Sequence, residues 1–320
     1  MSLESIILAQ VFNLDNWAKK PFIDLRGHFP NVIDEWDIEF SDSNPTVCKA
    51  DLHYSKNCKE GGKYPVLMNI HGGGWIIGDK SNSTTYCLQI ADSGFFVMNI
   101  NYGMPPKDLP ALFESVDPLA NHDETYLWPY PMVTHFEALK WIEENAEKYN
   151  LDLENVFVSG DSAGAHMTAC VAACFCSDEY AEALGVERPS FLPKGYVMNC
   201  GIYKVDFYNY MPVGRAMMQK FTNMKKPRNH PLYKYLSPTP FINEKANNVL
   251  VVNGMIDVMT IFQSKWMVEY LEKAGVPHDF YEGRAFPNSF HDFMLLSRTK
   301  ESKKCMKYTA DWLNAKVLEK

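Results

Sequence analysis

Five short apolar runs recur along the chain, and each is continuous rather than alternating. A strand whose two faces are both covered by helices has no solvent-facing side, so it reads as an unbroken apolar run. A sixth segment, Asp279–Glu282, is also expected to be a strand. The pattern predicts a sheet that is buried on both faces. The five runs are Val66–Ile70, Phe95–Ile100, Val156–Ser159, Tyr196–Cys200 and Val249–Asn253.

Segments with helical periodicity lie between these strands. In the clearest, Thr134–Tyr149, apolar residues fall on one face, and Thr134 with Glu137 forms a capping box. Strands that alternate with helices predict an α/β fold with a mostly parallel central sheet flanked by helices. Ligands bind at the carboxyl ends of the strands in such sheets, so the loops after the strands are expected to carry the chemistry.

Three stretches interrupt the alternation and are interpreted as cap or lid elements within a single domain, residues 1–320. Residues 1–35 precede the first expected strands, and residues 104–131 are a long loop rich in proline and acidic residues. Residues 203–248 are aromatic and rich in methionine. Long excursions inside a compact domain are usually functional, and lids are a common example.

Charge and composition exclude several classes of partner. A formal net charge of -8 offers no basic surface to a phosphate backbone, so nucleic acid is not an expected partner. Residues Met1–Trp17 lack the features of a secretory signal, and no segment approaches the roughly 20 apolar residues of a membrane span. We therefore expect no membrane span and a cytoplasmic location.

The eight cysteines are expected to be reduced, because a chain of this size needs no disulfide staples. Cys170, Cys174 and Cys176 cluster on an expected helix but have no fourth ligand at a matching spacing, so they are interpreted as core residues. No metal is expected.

A candidate nucleophile lies where an expected strand meets an expected helix. Gly160-Asp161-Ser162-Ala163-Gly164 follows the strand at Val156–Ser159 and precedes an alanine-rich stretch. A G-x-S-x-G sequence in this setting is typical of a sharp turn that lifts the serine above the sheet. Gly160 and Gly164 let the neighbouring backbone pass closely, and Ser162 is the expected nucleophile.

A glycine-rich loop, His71-Gly72-Gly73-Gly74, follows the strand at Val66–Ile70. Glycines without side chains let backbone N–H groups point at a developing oxyanion, and one such donor is typically worth about 100- to 1000-fold in rate. Gly73, Gly74 and Ala163 are the expected donors. His71 and Gly72 are expected to support the loop.

The serine requires a base, and position in the sheet selects among the nine histidines. His291 follows the expected strand Asp279–Glu282, at the carboxyl edge, whereas His278 precedes that strand. His166 follows Ser162 on the same helix and is interpreted as a packing residue. His291 is therefore the expected base.

An acid that orients the histidine lies between serine and histidine along the chain in enzymes with this serine turn. Asp257 meets this requirement, because it follows the strand at Val249–Asn253. Asp206, which follows the preceding strand, remains an alternative. Asp292 is adjacent to His291, a geometry that seldom allows an orienting bond.

These motifs together resemble the hormone-sensitive-lipase-like branch of the α/β-hydrolase superfamily. HGGGWIIGDK from His71 and GDSAGAH from Gly160 are similar to bacterial carboxylesterases of the acetyl-esterase-like and feruloyl-esterase-like kinds. The resemblance covers roughly residues 60–300. It implies two-step acyl transfer from a small ester without a cofactor, with Ser162, His291 and Asp257 as the catalytic residues, and a homodimer.

Other functions stay open at this point. The GDSAGAH sequence is also similar to arylformamidase-like enzymes, so an amide or formamide substrate is an alternative, as is peptidase activity with the same residues. A non-catalytic binding module on a hydrolase scaffold is a third alternative, because function resides in sites rather than folds.

Overall fold

The computed structural model describes residues 29–56, 62–103, 127–224 and 226–319, and eight strands form one sheet within them. Their bounds are β1 Val32–Glu39, β2 Lys49–Ser55, β3 Tyr64–Ile70, β4 Phe96–Ile100, β5 Leu151–Asp161, β6 Gly195–Asn199, β7 Val249–Gly254 and β8 His278–Gly283. The strand order across the sheet is β1-β2-β4-β3-β5-β6-β7-β8. Six strands, β3 to β8, are parallel to one another, whereas β2 runs antiparallel to both of its neighbours, β1 and β4.

The expected sheet is confirmed, because all six expected strands overlap the parallel strands. The apolar pattern does not reveal β1 and β2. β1 lies at the edge of the sheet and reads VIDEWDIE, with most of its side chains only partly buried or exposed. An edge strand exposes polar side chains to solvent, so it lacks the unbroken apolar run of a central strand.

Helices cover both faces of the sheet. The helix bounds are α1 Thr84–Asp92, α2 Tyr130–Glu144, α3 Ala146–Tyr149, α4 Ala163–Cys176, α5 Asp178–Leu184, α6 Val205–Tyr208, α7 Pro212–Phe221, α8 Gln263–Lys273 and α9 Lys300–Leu318. Alternate residues of β3 pack on opposite faces, since Val66 and Met68 join one apolar cluster with α2 and α4 while Leu67 joins a second cluster with α1 and α9.

The helix expected at Thr134–Tyr149 begins earlier than its sequence indicates. α2 starts at Tyr130, with Pro131 in its first turn, where a missing backbone N–H costs no hydrogen bond. The capping box is wrong. Thr134 is buried inside α2, and the Glu137 carboxylate instead accepts a hydrogen bond from a serine hydroxyl in a distant segment.

The structure describes only parts of the three expected cap elements. Residues 1–28 and 104–126 lie outside the described residues, and residues 32–35 belong to strand β1. Within residues 203–248, α6, α7 and several 3-10 turns replace regular strand and helix alternation. Two side chains of this segment, Tyr208 and Met217, line the cavity described below.

In the described ranges, no helix combines the length and apolar character needed to cross a bilayer. Seven cysteines fall in these ranges, and all are buried free thiols. Cys170, Cys174 and Cys176 pack within α4 as core residues.

Candidate active site

Ser162 occupies the sharp turn between β5 and α4. Its backbone angles, φ 53° and ψ -115°, are unfavourable for a residue with a side chain. A Cβ atom on Gly160 would lie 2.4 Å from the backbone of Gly164, and one on Gly164 would lie 2.0 Å from the Ile70 carbonyl oxygen. The two glycines therefore permit the close approach that holds Ser162 at the carboxyl edge of the sheet.

The glycine loop after β3 lies beside this serine. Gly73 and Gly74 line the same cavity as Ser162, with φ values of 129° and 59°. A Cβ atom on Gly73 would be 1.7 Å from the Ile77 carbonyl oxygen, so the loop cannot take this path with a larger residue. Ala163 is the first residue of α4 and follows Ser162 directly. The expected N–H donors thus belong to two segments that meet at the serine.

Side chains from several segments support the glycine loop. The N–H of Gly72 donates to Asp161 Oδ2 at 3.1 Å, and Asp161 Oδ1 accepts from the Ser83 hydroxyl at 3.1 Å. His71 Nδ1 donates to the Gly72 carbonyl at 2.6 Å, and its ring stacks on Tyr102 with centroids 4.5 Å apart. Sequence reasoning gave Asp161 no role. The only sequence signal was its place between Gly160 and the serine.

Three residues distant in sequence form a continuous hydrogen-bonded row. His291 Nδ1 donates to Asp257 Oδ2 at 2.9 Å, which leaves Nε2 to accept from Ser162 Oγ, also at 2.9 Å. His291 lies in the loop after β8, and Asp257 lies in the loop after β7. The sheet therefore brings together the three residues that the sequence singled out.

The Asp257 carboxylate is buried and has four hydrogen bonds. Besides His291, it accepts from the backbone N–H groups of Met259 and Thr260 at 2.9 and 3.1 Å and from the Thr260 hydroxyl at 2.6 Å. Burial acts to raise the pKa of Asp257, but the His291 imidazole and these hydrogen bonds outweigh burial, so the pKa is lowered. Asp257 is thus an ionised, fixed acceptor.

The alternative acid and the alternative bases lie in different surroundings. Asp206 is exposed and accepts a hydrogen bond from Tyr233, and His278 Nδ1 donates to the Val276 carbonyl at the start of β8. His166 is fully buried and bridges two segments, because its Nδ1 accepts from Trp75 and its Nε2 donates to the Leu236 carbonyl. Burial lowers the pKa of His166 to about 4, so the ring is neutral.

A buried thiol lies beside the row. The Cys200 sulfur and ligand atoms of Asp257 and His291 all lie within 4.8 Å of one another, a spacing that would suit a metal ion. Burial raises the pKa of the Cys200 thiol well above its ordinary value, and the thiolate is the form that binds metals. Asp257 and His291 are also hydrogen-bonded to each other, so this arrangement fits a hydrogen-bonded pair better than a metal site.

The cavity beside Ser162 has a mainly apolar surface. Its volume is about 420 Å³ including the open mouth. Tyr208 and Met217 come from residues 203–248, and the Tyr208 hydroxyl donates to the Met217 sulfur at 3.3 Å. The wall also includes Asp292, whose Oδ2 lies 3.3 Å from His291 Nε2. The remaining lining residues are Gly73, Gly74, Ile202, Met259, Thr260 and His291.

Comparison with known proteins agrees with this architecture. A family model described as "alpha/beta hydrolase fold" matches residues 126–295, which is more than half of the chain. The chain belongs to the α/β-hydrolase fold family. The resemblance to the hormone-sensitive-lipase-like branch is thereby confirmed. A second family model, BD-FAE, matches residues 51–117 of this α/β-hydrolase chain.

Individual relatives of this α/β-hydrolase chain are distant. Esterase LipQ of Mycobacterium tuberculosis is 26% identical over 269 residues, which are 82% of this chain and 58% of LipQ. Arylacetamide deacetylase of Oryctolagus cuniculus is 36% identical over 112 residues, 33% of this chain and 23% of that protein. The chain thus spans little more than half the length of LipQ.

A solved structure shares the whole fold. Esterase B of Lactobacillus rhamnosis, in a crystal structure with a tributyrin phosphonate, superposes with a TM-score of 0.78. The two proteins are 20% identical, and the match covers 98% of this chain and 94% of the other. At that identity the likeness establishes the fold.

Proposed function

We propose that this chain is a serine carboxylesterase that hydrolyses small or short-acyl esters, including aromatic esters or sugar acetates. The observation that carries the proposal is the hydrogen-bonded row from Ser162 through His291 to Asp257, with both distances at 2.9 Å. A serine activated by an oriented imidazole is the arrangement that acyl transfer requires. The name of the relative Esterase LipQ supports an ester substrate.

In the proposed reaction, Ser162 Oγ attacks the ester carbonyl while its proton passes to His291 Nε2. Asp257 holds the imidazole in the correct tautomer and stabilises its positive charge. The backbone N–H groups of Gly73, Gly74 and Ala163 form the oxyanion hole. His291 then protonates the departing alcohol, and water releases the acid from the acyl-enzyme by the same steps in reverse. No step uses a cofactor.

The small substrate is proposed from the cavity. The volume of about 420 Å³ includes space open to solvent, so the enclosed part beside Ser162 is smaller than a typical ligand pocket and suits a small acyl group. Ile202, Met217 and Met259 give it an apolar wall next to the serine, which suits an acyl chain rather than a charged group. Residues 203–248 supply Tyr208 and Met217, so we assign the lid to this segment.

The test is hydrolysis of aryl acetate, butyrate and octanoate by the full chain and by Ser162→Ala. We expect the wild type to prefer acetate or butyrate, and Ser162→Ala to lose about 10⁶-fold in kcat. A fluorophosphonate probe should label Ser162 in the wild type alone. Equal rates for the two proteins together with no labelling would contradict the proposal and favour a non-catalytic binding module.

An amidase is the second candidate, because 112 residues are 36% identical to an arylacetamide deacetylase. An amide requires protonation of an amine leaving group, which His291 Nε2 would also perform. Matched aryl ester, anilide and formanilide substrates separate the two. Faster turnover of the anilide or formanilide would replace the esterase assignment, and peptide cleavage would indicate a peptidase.

Homodimerisation and a cytoplasmic location stay predictions. Light scattering on the purified chain tests the first, and cell fractionation tests the second.

A further inference from the structure

The residue after His291 places a second carboxylate against the imidazole. Asp292 precedes the 3-10 turn Phe293–Leu295 and has a left-handed backbone with φ 52°. Its side chain is 2% exposed, and Oδ2 lies 3.3 Å from His291 Nε2. This nitrogen is the one that accepts from Ser162. The ring therefore lies between two carboxylates, with Asp257 on Nδ1 and Asp292 on Nε2.

Further groups near the ring are neutral. Cys200 approaches from the loop after β6, and burial keeps its thiol protonated by raising the thiol pKa well above the ordinary value. Tyr208 of α6 and Thr260 of the loop after β7 line the cavity, and Ser162 lies at the turn. Asp257 and Asp292 are thus the charged groups at His291 among these described neighbours.

The two protonation states of the imidazole respond differently to this pair. In the neutral ring, protonated on Nδ1, the partial negative charge of Nε2 lies 3.3 Å from Asp292 Oδ2, which is unfavourable. The imidazolium is positively charged and is attracted by a carboxylate on each side of the ring. We propose that Asp292 is a positioning residue that acts through His291 by stabilising its protonated form during acyl transfer.

This inference rests on the proposed esterase function. As the bond between Ser162 Oγ and the acyl carbon forms, the serine proton moves to His291 Nε2. Asp292 then stabilises the positive charge of the ring, and it neither gains nor loses a proton. When the acyl carbon to alkoxide bond breaks, the proton passes from Nε2 to the alkoxide, and the ring returns to its neutral state.

The pH profile of Asp292→Asn tests the inference. An opposite charge within about 4–6 Å commonly raises the pKa of a cationic group by about 1 to 3 units, so we expect the acidic limb of kcat/KM to move about 1 pH unit lower in the variant. Ester turnover on the alkaline plateau should fall about 10-fold, because one pKa unit corresponds to a tenfold change in equilibrium. Asparagine suits the left-handed backbone at this position.

Asp206→Asn is the matched control, since Asp206 is an exposed carboxylate bonded to Tyr233 rather than to the row. Its acidic limb should coincide with that of the wild type. If Asp292→Asn does not fold, Asp292→Gly replaces it, because glycine also accepts a positive φ. An acidic limb within about 0.2 units of the wild type in a folded Asp292 variant would overturn the inference.

A second measurement separates failure of this inference from failure of the proposed function. Histidine ¹⁵N NMR of the full chain reports the titration of His291 without turnover, and loss of the signal in His291→Gln assigns it. A midpoint about 1 unit lower in Asp292→Asn supports the inference. An unchanged midpoint overturns it, whether or not the protein hydrolyses esters. Absence of Ser162-dependent turnover overturns the proposed function alone.

Discussion

Gly164 lies so close to Ile70 that a Cβ atom on Gly164 would stand 2.0 Å from the Ile70 carbonyl oxygen. This approach fixes the serine turn against the strand that leads into the glycine loop. The distance between the candidate nucleophile and the candidate oxyanion donors is therefore set by backbone packing of β3 against α4.

Gly164→Ala should be strongly destabilising, because neither the helix nor β3 can withdraw without disturbing the sheet. Overpacking a dense interior typically costs about 1–3 kcal/mol, and we expect a value near or above the upper end. Thermal unfolding should show a decrease of several degrees. Gly185→Ala is the control, since no atom lies within 4 Å of the Cβ position at Gly185. Its loss of stability should be about 1 kcal/mol, because only the left-handed backbone disfavours alanine there. Equal losses in the two variants would contradict this explanation.

Asp257→Asn should abolish most ester hydrolysis while the chain stays folded. The amide cannot stabilise the imidazolium and favours the wrong tautomer, so kcat should fall about 10⁴-fold. The amide oxygen can still accept from the Met259 and Thr260 N–H groups. Rates with an aryl acetate at pH 8 and a circular dichroism spectrum measure the two effects. A larger loss in Asp206→Asn than in Asp257→Asn would reassign the acid.

Met217→Ala should extend the acyl chain that the cavity accepts. Removing this side chain opens the wall next to Ser162, and each additional methylene that then fits is worth about 10-fold or more in kcat/KM. The measurement is the kcat/KM ratio of aryl hexanoate to aryl acetate, which should rise about tenfold. Met306→Ala removes a buried methionine of α9, away from the cavity, and it should leave this ratio unchanged. An unchanged ratio in Met217→Ala would place the acyl chain elsewhere.

Acid should unfold this protein partly through two buried histidines. Burial lowers the pKa of His166 from 6.5 to about 4 and that of His135 to about 3, so the unfolded chain binds more protons at mildly acidic pH. The two histidines contribute fully to the free energy of unfolding above pH 6.5, and this contribution is lost as the pH falls towards their pKa values in the folded protein. The loss is on the order of 3 kcal/mol for each ring.

His135→Phe should weaken this pH dependence. Neither His135 ring nitrogen has a hydrogen-bond partner among the described residues, so phenylalanine should preserve stability at pH 7. In urea unfolding, the free energy of unfolding should differ less between pH 7 and pH 4.5 for the variant than for the wild type. His278→Phe, which alters a partly exposed ring, should keep the wild-type difference. The same pH dependence in His135→Phe would show that His135 does not contribute.

The sequence was most informative where one physical constraint dominates a segment. Burial on both faces leaves an unbroken apolar run, so the central strands were predicted, and the expected loops after them contain Ser162, Asp257 and His291. The sequence was less informative where a segment is only partly buried or where two local signals compete. Strand β1 has mixed polarity because it is an edge, and α2 begins at Tyr130 because Pro131 fits a first helical turn, which the apparent capping box at Thr134 obscured.

The sequence by itself determined the central strands, the order of the chemical groups and the family, because those depend on residue types at fixed spacing. Only the tertiary structure decided that Asp257, rather than Asp206, meets His291, that Asp161 bonds Gly72, and that Asp292 faces Nε2. These contacts depend on how far each loop reaches above the sheet edge. Loop reach is set by packing between segments distant in sequence, which local residue patterns do not record.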